Sequence, residues 1–211
     1  MVMNTEQKKE KQVIAAFDFD GTMTKKDTLL PFLFFAAGKR ATLRKLFKLT
    51  PYFIGFCLKI VSRQKTKEKV LQKFFAGMPS SQLCELGEAF STSDALKKLI
   101  LPSAIKRLEW HRRQKHTCIL ISASINAYLD PWAKMMGFNE LICSNLEIDS
   151  YGIVTGKIEG KNCWGPEKER RLERLAGPRN NYTLYAYGDS RGDQELLALA
   201  DHPFYSTMPS S

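Results

Sequence analysis

Three short apolar runs punctuate the chain: residues 13–19 (VIAAFDF), 117–122 (TCILIS) and 183–188 (TLYAYG). None shows the in-out alternation of a half-exposed strand, so each predicts a strand covered on both faces, as in a parallel sheet. Helical patterns alternate with them, over 104–114, 125–136, 167–176 (closed by Gly177) and 194–200. Strands alternating with helices predict an α/β fold, a doubly wound parallel sheet. Residues 146–160 (LEIDSYGIVTGKIEG) instead alternate apolar and polar positions around Ser150-Tyr151-Gly152, which predicts a β-hairpin.

Between the first and second core strands, about residues 29–98, no strand pattern occurs. Pro51 and the Gly77-Met78-Pro79 turn divide this segment into helices. It predicts a helical cap of residues 29–98 inserted into a core made of 13–28 and 99–211. Two of its stretches, LLPFLFFAA (29–37) and LTPYFIGFCLKIV (49–61), are very apolar, yet neither reaches the ~20 residues of a membrane span. They suit the inner faces of a small bundle or contact with a membrane surface.

Charge sharpens that choice. The net charge is +10; residues 25–98 hold 15 of the 32 Lys and Arg and 5 of the 22 Asp and Glu, and the rest of the chain holds 17 of each sign. The whole excess therefore lies in residues 25–98, which are expected to meet something anionic. Five cysteines at wide spacings form neither a zinc pattern nor a disulfide framework, and are expected to be buried, reduced thiols. The first dozen residues are polar and lack an apolar run, so export is not expected and the cytoplasm is the expected compartment, with the inner membrane face as a possible site of action.

The chemistry begins with Asp18-Phe19-Asp20-Gly21-Thr22 at the end of the first strand. Ligands of open α/β sheets bind beyond the carboxyl ends of the strands. Residues two apart in extended chain point to one side, so Asp18 and Asp20 can reach one group. Such a pair resists joint ionisation unless a hard cation relieves it. Alone, the pair is also what a turn or helix cap looks like. A second acidic cluster, Gly188-Asp189-Ser190-Arg191-Gly192-Asp193, follows another core strand, with Asp189 placed to complete a metal site and Asp193 to support it. Ser122-Ala123-Ser124 ends the strand between them, where a hydroxyl before a helix can bind phosphate or cap the helix. Pro166-Glu167-Lys168 opens a helix, and Lys168 can steady a phosphate as a point charge; Lys161 is its rival.

In this order the four pieces resemble the haloacid dehalogenase-like phosphatase superfamily, over nearly the whole chain: DFDGT, ISAS, the lysine of GPEKERRL and GDSRGD. The insert resembles a type-one cap, as in the phosphoserine phosphatase-like branch. The resemblance implies a magnesium-dependent phosphomonoester hydrolase working through an aspartyl-phosphate. It implies Asp18 as nucleophile and Asp20 as general acid/base. Ser122, Ala123, Lys168, Gly21 and Thr22 would hold the phosphoryl group. Magnesium would be bound by Asp18, the Asp20 carbonyl and Asp189, with Asp193 in support. The spacing from Lys168 to Leu172 fits the family helix better than Lys161 does.

Phosphoserine phosphatases carry a Glu after the first motif and a cap Arg; here the counterparts are Asp27 and Lys69. Lysine makes no bidentate carboxylate clamp, which counts against phosphoserine. The apolar, basic cap resembles more closely the branch that contains phosphatidylglycerophosphatase C, which implies a lipid phosphate and peripheral contact with an anionic membrane. The alternatives are a small soluble ester such as phosphoserine, or a non-catalytic membrane-associated module. His111 and His116 are expected at the surface, and no nucleic-acid recognition motif occurs, so no nucleic-acid partner is expected.

Overall fold

The computed structural model describes residues 11–209. The polar segment 1–10, and with it most of the expectation about export, lies outside the described residues. Strand β1 (Gln12–Phe17) opens the fold. The helices of the insert follow: α1 (Leu29–Ala37), α2 (Lys39–Phe47), α3 (Thr50–Cys57), α4 (Arg63–Phe75), α5 (Ser80–Ser91) and α6 (Asp94–Lys97). Then come α7 (Pro102–Arg113), β2 (Thr117–Ile125), α8 (Asn126–Met136), β3 (Glu140–Ser144), β4 (Leu146–Ile148) and β5 (Val154–Ile158). The chain closes with α9 (Pro166–Ala176), β6 (Tyr182–Gly188), α10 (Gln194–Leu199) and β7 (His202–Tyr205).

Five strands form one parallel sheet in the order β3-β2-β1-β6-β7. The expected runs are its three central strands, and their residues Ile14–Phe17, Cys118–Ile121 and Leu184, Ala186 and Tyr187 are almost fully buried. β3 and β7 are edge strands that the apolar pattern did not announce. Apolar groups pack on both faces of the sheet.

The expected hairpin forms from β4 and β5 but joins no core strand. It binds the helical insert: Gly77 N donates to Val154 O at 3.0 Å, Val154 N to Met78 O at 2.9 Å, and Ser80 N to Gly152 O at 2.8 Å. The insert is seated a second time on α8. Phe32 packs within 5.5 Å, centroid to centroid, of Phe75, Phe90 and Tyr128. Beside them Gly87 lets α5 approach so closely that a Cβ there would stand 1.9 Å from the Ala127 carbonyl oxygen. Phe32 is therefore interior, while Phe47 is exposed, so the cap's aromatics divide between a bundle core and a surface.

Two expectations fail here. His111 is fully buried, with Nε2 2.8 Å from the Tyr187 hydroxyl and Nδ1 2.7 Å from Nδ1 of the half-buried His116. The apolar side of α7 carries it against β6, where Arg107 also donates to the Tyr187 hydroxyl at 2.6 Å. The thiols divide as well: Cys118, Cys143 and Cys163 are buried, but Cys57 and Cys84 lie on outward faces of cap helices.

Candidate active site

β1 stops at Phe17, and Asp18 N makes one more sheet-like bond to Tyr187 O at 2.9 Å. The chain then turns about the Phe19 carbonyl, which accepts from the backbone N–H of Thr22, Met23 and Thr24. Gly21 takes φ +82° in that turn, and a Cβ there would meet Asp189 Oδ2 at 2.0 Å. Only glycine lets the turn and the second acidic cluster come this close.

Asp18 is buried, and Lys168 Nζ donates to its Oδ1 at 2.5 Å. The same Nζ donates to Asp193 Oδ1 at 2.5 Å. Lys168 reaches them from the first turn of α9, which Pro166 starts. Lys161 is exposed, and its backbone carbonyl accepts from Arg171. Asp193 Oδ2 accepts from Ser190 N at 3.0 Å and Ser190 Oγ at 2.8 Å, a capping box that locks the turn after β6. Asp18, Asp189 and Asp193 each offer a carboxylate oxygen within 4.8 Å of the others. Burial pushes Asp18 up to about 7, Lys168 working against the rise and Asp193 and Asp20 adding to it. Burial and Asp193 also raise Asp189. Although burial works against its charge, Asp18 and Asp193 hold the Lys168 ammonium above the ordinary lysine range. Three carboxylates around one ammonium remain short of positive charge, and an all-oxygen donor set suits a hard divalent cation.

The Asp20 carboxylate turns away from that cluster. Its Oδ1 accepts from Thr28 N at 2.8 Å and Thr28 Oγ1 at 2.7 Å, and its Oδ2 accepts from Ser124 Oγ. Tyr128 hydroxyl ties the arrangement together, donating to Ser124 Oγ at 2.9 Å and lying 3.1 Å from Thr28 Oγ1. Any metal contact from Asp20 thus falls to its carbonyl. Burial, then Asp27, raises Asp20 to about 6, against the pull of Ser124 and Thr28. Thr22 is buried, with Oγ1 3.5 Å from Asp189 Oδ1.

Ser122 is buried and its Oγ accepts from Ser124 N at 3.0 Å. It does not cap a helix: β2 runs on to Ile125, and α8 begins without a side-chain cap. Ala123 lies between the serines, and its carbonyl accepts from Lys67 Nζ, which also donates to Asn162 Oδ1 at 3.0 Å. Burial lowers Lys67 to about 8, with Asp20 and Asp27 opposing.

A cavity of about 260 Å³ adjoins Asp20 and Ser124. Asp27 lines it, exposed and accepting from its own Leu29 N at 2.9 Å. Lys69 is not among the lining residues; it donates to Gln72 Oε1 at 3.1 Å and lies over Tyr52. Residues two apart on a helix face different ways, so α4 turns Lys67 inward where the family resemblance pointed to Lys69. Arg63, Thr66, Lys67 and Val70 all line the cavity, at helix spacings of three and four. That periodicity was a signal for this face. Nothing local marked Thr28, Tyr128 or Asn162.

Residues 15–198 match the haloacid dehalogenase-like hydrolase family. The chain belongs to that family. The hydrolase is 34% identical over 193 residues to Protein CicA of Caulobacter vibrioides, covering 92% of this chain and 85% of CicA. A crystal structure of a protein of unknown function from Bordetella pertussis Tohama I superposes with a TM-score of 0.80 at 24% identity, over 92% of this chain and 90% of that one. A phospho-aspartyl intermediate analogue of phosphoserine phosphatase superposes with a TM-score of 0.57 at 15% identity, over 90% of this chain and 84% of that one. These superpositions establish a shared fold for the hydrolase, the α/β parallel sheet expected from its apolar runs.

Proposed function

We propose that the protein is a magnesium-dependent phosphomonoester hydrolase that works through a phosphorylated Asp18. The observation that carries this is the buried Asp18 carboxylate at the end of β1, bonded through Oδ1 to Lys168 beside Asp189 and Asp193. Lys168 holds its Oδ1, and no donor among the described residues bonds its Oδ2, the oxygen that makes the attack in this reading.

In the first half-reaction Asp18 Oδ2 forms a bond to phosphorus as the ester P–O bond breaks, and the leaving oxygen takes a proton from Asp20. In the second, water attacks phosphorus, gives its proton back to Asp20, and frees phosphate and the Asp18 carboxylate. The raised Asp20 suits a group that must hold a proton and then accept one near neutral pH. Asp18, the Asp20 carbonyl and Asp189 would hold the magnesium, with Asp193 supporting them. When bound, the ion supplies positive charge that masks repulsion between phosphate and the attacking carboxylate. Gly21, Thr22, Ser122, Ala123 and Lys168 surround the phosphoryl position in this reading.

For the substrate, the cavity walls of Leu29, Phe53, Phe56, Val70 and Ile125 favour an ester with an apolar part, such as the lipid phosphate phosphatidylglycerophosphate. One observation favours the small soluble alternative. Asp27, Arg63 and Lys67 share the same cavity and can meet an ammonium and a carboxylate, as phosphoserine carries. Asp18→Asn tests the reaction: turnover of every phosphate ester should vanish with the fold intact, and residual activity within tenfold of wild type would remove Asp18 as nucleophile. Phosphatidylglycerophosphate and phosphoserine, assayed with and without magnesium, separate the two substrate readings.

A further inference from the structure

Between Asp27 and Glu68 the chain holds nine Lys and Arg and no carboxylate. None of these nine takes part in an ion pair among the described residues. The same stretch carries unusually exposed apolar side chains: Phe47 is 80% exposed, Leu58 64% and Ile60 78%. The tip is built rather than frayed. Lys59 takes φ +59°, and Ile60 N and Val61 N both donate to Gly55 O, at 2.8 and 3.0 Å. This turn holds Leu58 and Ile60 outward, flanking Lys59. Exposed aliphatic groups among unpaired cations cost stability in water and mark a surface with an anionic, apolar partner.

The surface is continuous with the active site. Phe53 and Phe56 of α3 and Arg63 of α4 line the cavity that holds Asp20. On α2, Leu43 and Phe47 line a separate groove with Arg44, Lys45 and Lys48, again without a carboxylate. Aliphatic tips suit acyl chains; nucleic acid would be met by stacking aromatics and polar base-reading groups.

We propose that α2, α3 and the turn at Leu58–Ile60 dock on an anionic lipid bilayer, beside the mouth of the Asp20 cavity. The docking stands on its own. That the bilayer also supplies the ester rests on the phosphatase reading above.

The test is sedimentation of the full chain with vesicles of phosphatidylcholine alone or mixed with phosphatidylglycerol. Retention is expected on the anionic vesicles, with release as salt shortens the screening length from about 30 Å towards about 8 Å. Leu58→Ser/Ile60→Ser and, separately, Lys39→Glu/Lys48→Glu should each weaken retention by about tenfold or more. Both should keep the wild-type circular dichroism spectrum and hydrolysis of a small soluble ester. Wild-type protein left in the supernatant at low salt overturns the proposal, as do variants that bind like wild type. So does a dimer, seen without lipid, that the Leu58→Ser/Ile60→Ser change dissolves, because a second copy then covers this face. Vesicle binding without hydrolysis of any ester would remove the phosphatase reading and leave the docking. Hydrolysis without vesicle binding would do the reverse.

Discussion

Lys168 Nζ donates to Asp18 Oδ1 at 2.5 Å, and both side chains are buried. One ammonium thus orients the proposed nucleophile while its other bond, to Asp193, ties α9 to the turn after β6. Three chain segments far apart in sequence meet at a single nitrogen.

Lys168→Met removes that nitrogen and leaves two buried carboxylates facing each other. Breaking a buried pair in this way costs about 3–5 kcal/mol. Urea unfolding should show a loss of that order, and hydrolysis should fall by more than about a hundredfold. Wild-type stability in Lys168→Met would show that the ion pair contributes nothing to the fold.

Bound at the proposed site, magnesium should stabilise the protein, because it would relieve the repulsion of Asp18 and Asp189 and would bind only the folded chain. The melting temperature should rise on titration with magnesium and fall again with chelator, with activity following. Asp189→Asn removes a proposed ligand charge and should raise the magnesium concentration needed by at least about tenfold. An unchanged titration midpoint would take Asp189 out of the metal site.

Lys67→Gln removes the cap cation that reaches the Ala123 carbonyl and the cavity. KM for an anionic ester should rise by about tenfold, with a smaller change in kcat, since Lys67 touches neither Asp18 nor Lys168. Lys69→Gln should leave both constants as they are. Steady-state kinetics on the two variants distinguish the residues.

His111 supplies a pH dependence of stability outside the proposed site. Burial, with Arg107 and His116, pushes it down to about 3. The unfolded chain takes up this proton near 6.5, so between these values the unfolded state binds more protons and stability falls as pH drops. The slope from this group is up to about 1.4 kcal/mol per pH unit. Urea midpoints between pH 6.5 and 5 should fall less steeply in His111→Gln than in wild type. Parallel slopes would mean that His111 accepts its proton in the folded state.

Gly87→Ala tests how the insert is seated. The added methyl meets the Ala127 carbonyl, which belongs to α8 and cannot rotate away. Overpacking of this kind costs about 1–3 kcal/mol, measurable by denaturant unfolding. A neutral substitution would mean that α5 slides freely on α8.

Much of the fold was legible because its central strands are covered on both faces and so read as unbroken apolar runs. The edge strands were not. β3 (ELICS) begins in a polar residue, and β7 (HPFY) contains a proline, which an edge strand tolerates because one side needs no partner. The acidic clusters were legible for a related reason: each follows a central strand, where the chain must leave the sheet. The hairpin could be read as a hairpin, but its docking on the turn after α4 could not, because those hydrogen bonds run backbone to backbone and leave no mark on residue type.

By itself the sequence determined the parallel sheet, the helical insert, the order of Asp18, Ser122, Lys168 and Asp189, and the concentration of positive charge in one segment. These follow from local composition and from spacing along the chain. Tertiary structure decided what depends on direction. The turn of α4 chose Lys67 over Lys69, the packing of α7 drew His111 into the interior, and the meeting of β2 with the segment leading into α1 gave Asp20 its partners Thr28 and Ser124. Helix phase, burial and approach across the fold set which side of a residue faces what, and a chain of letters carries no such direction.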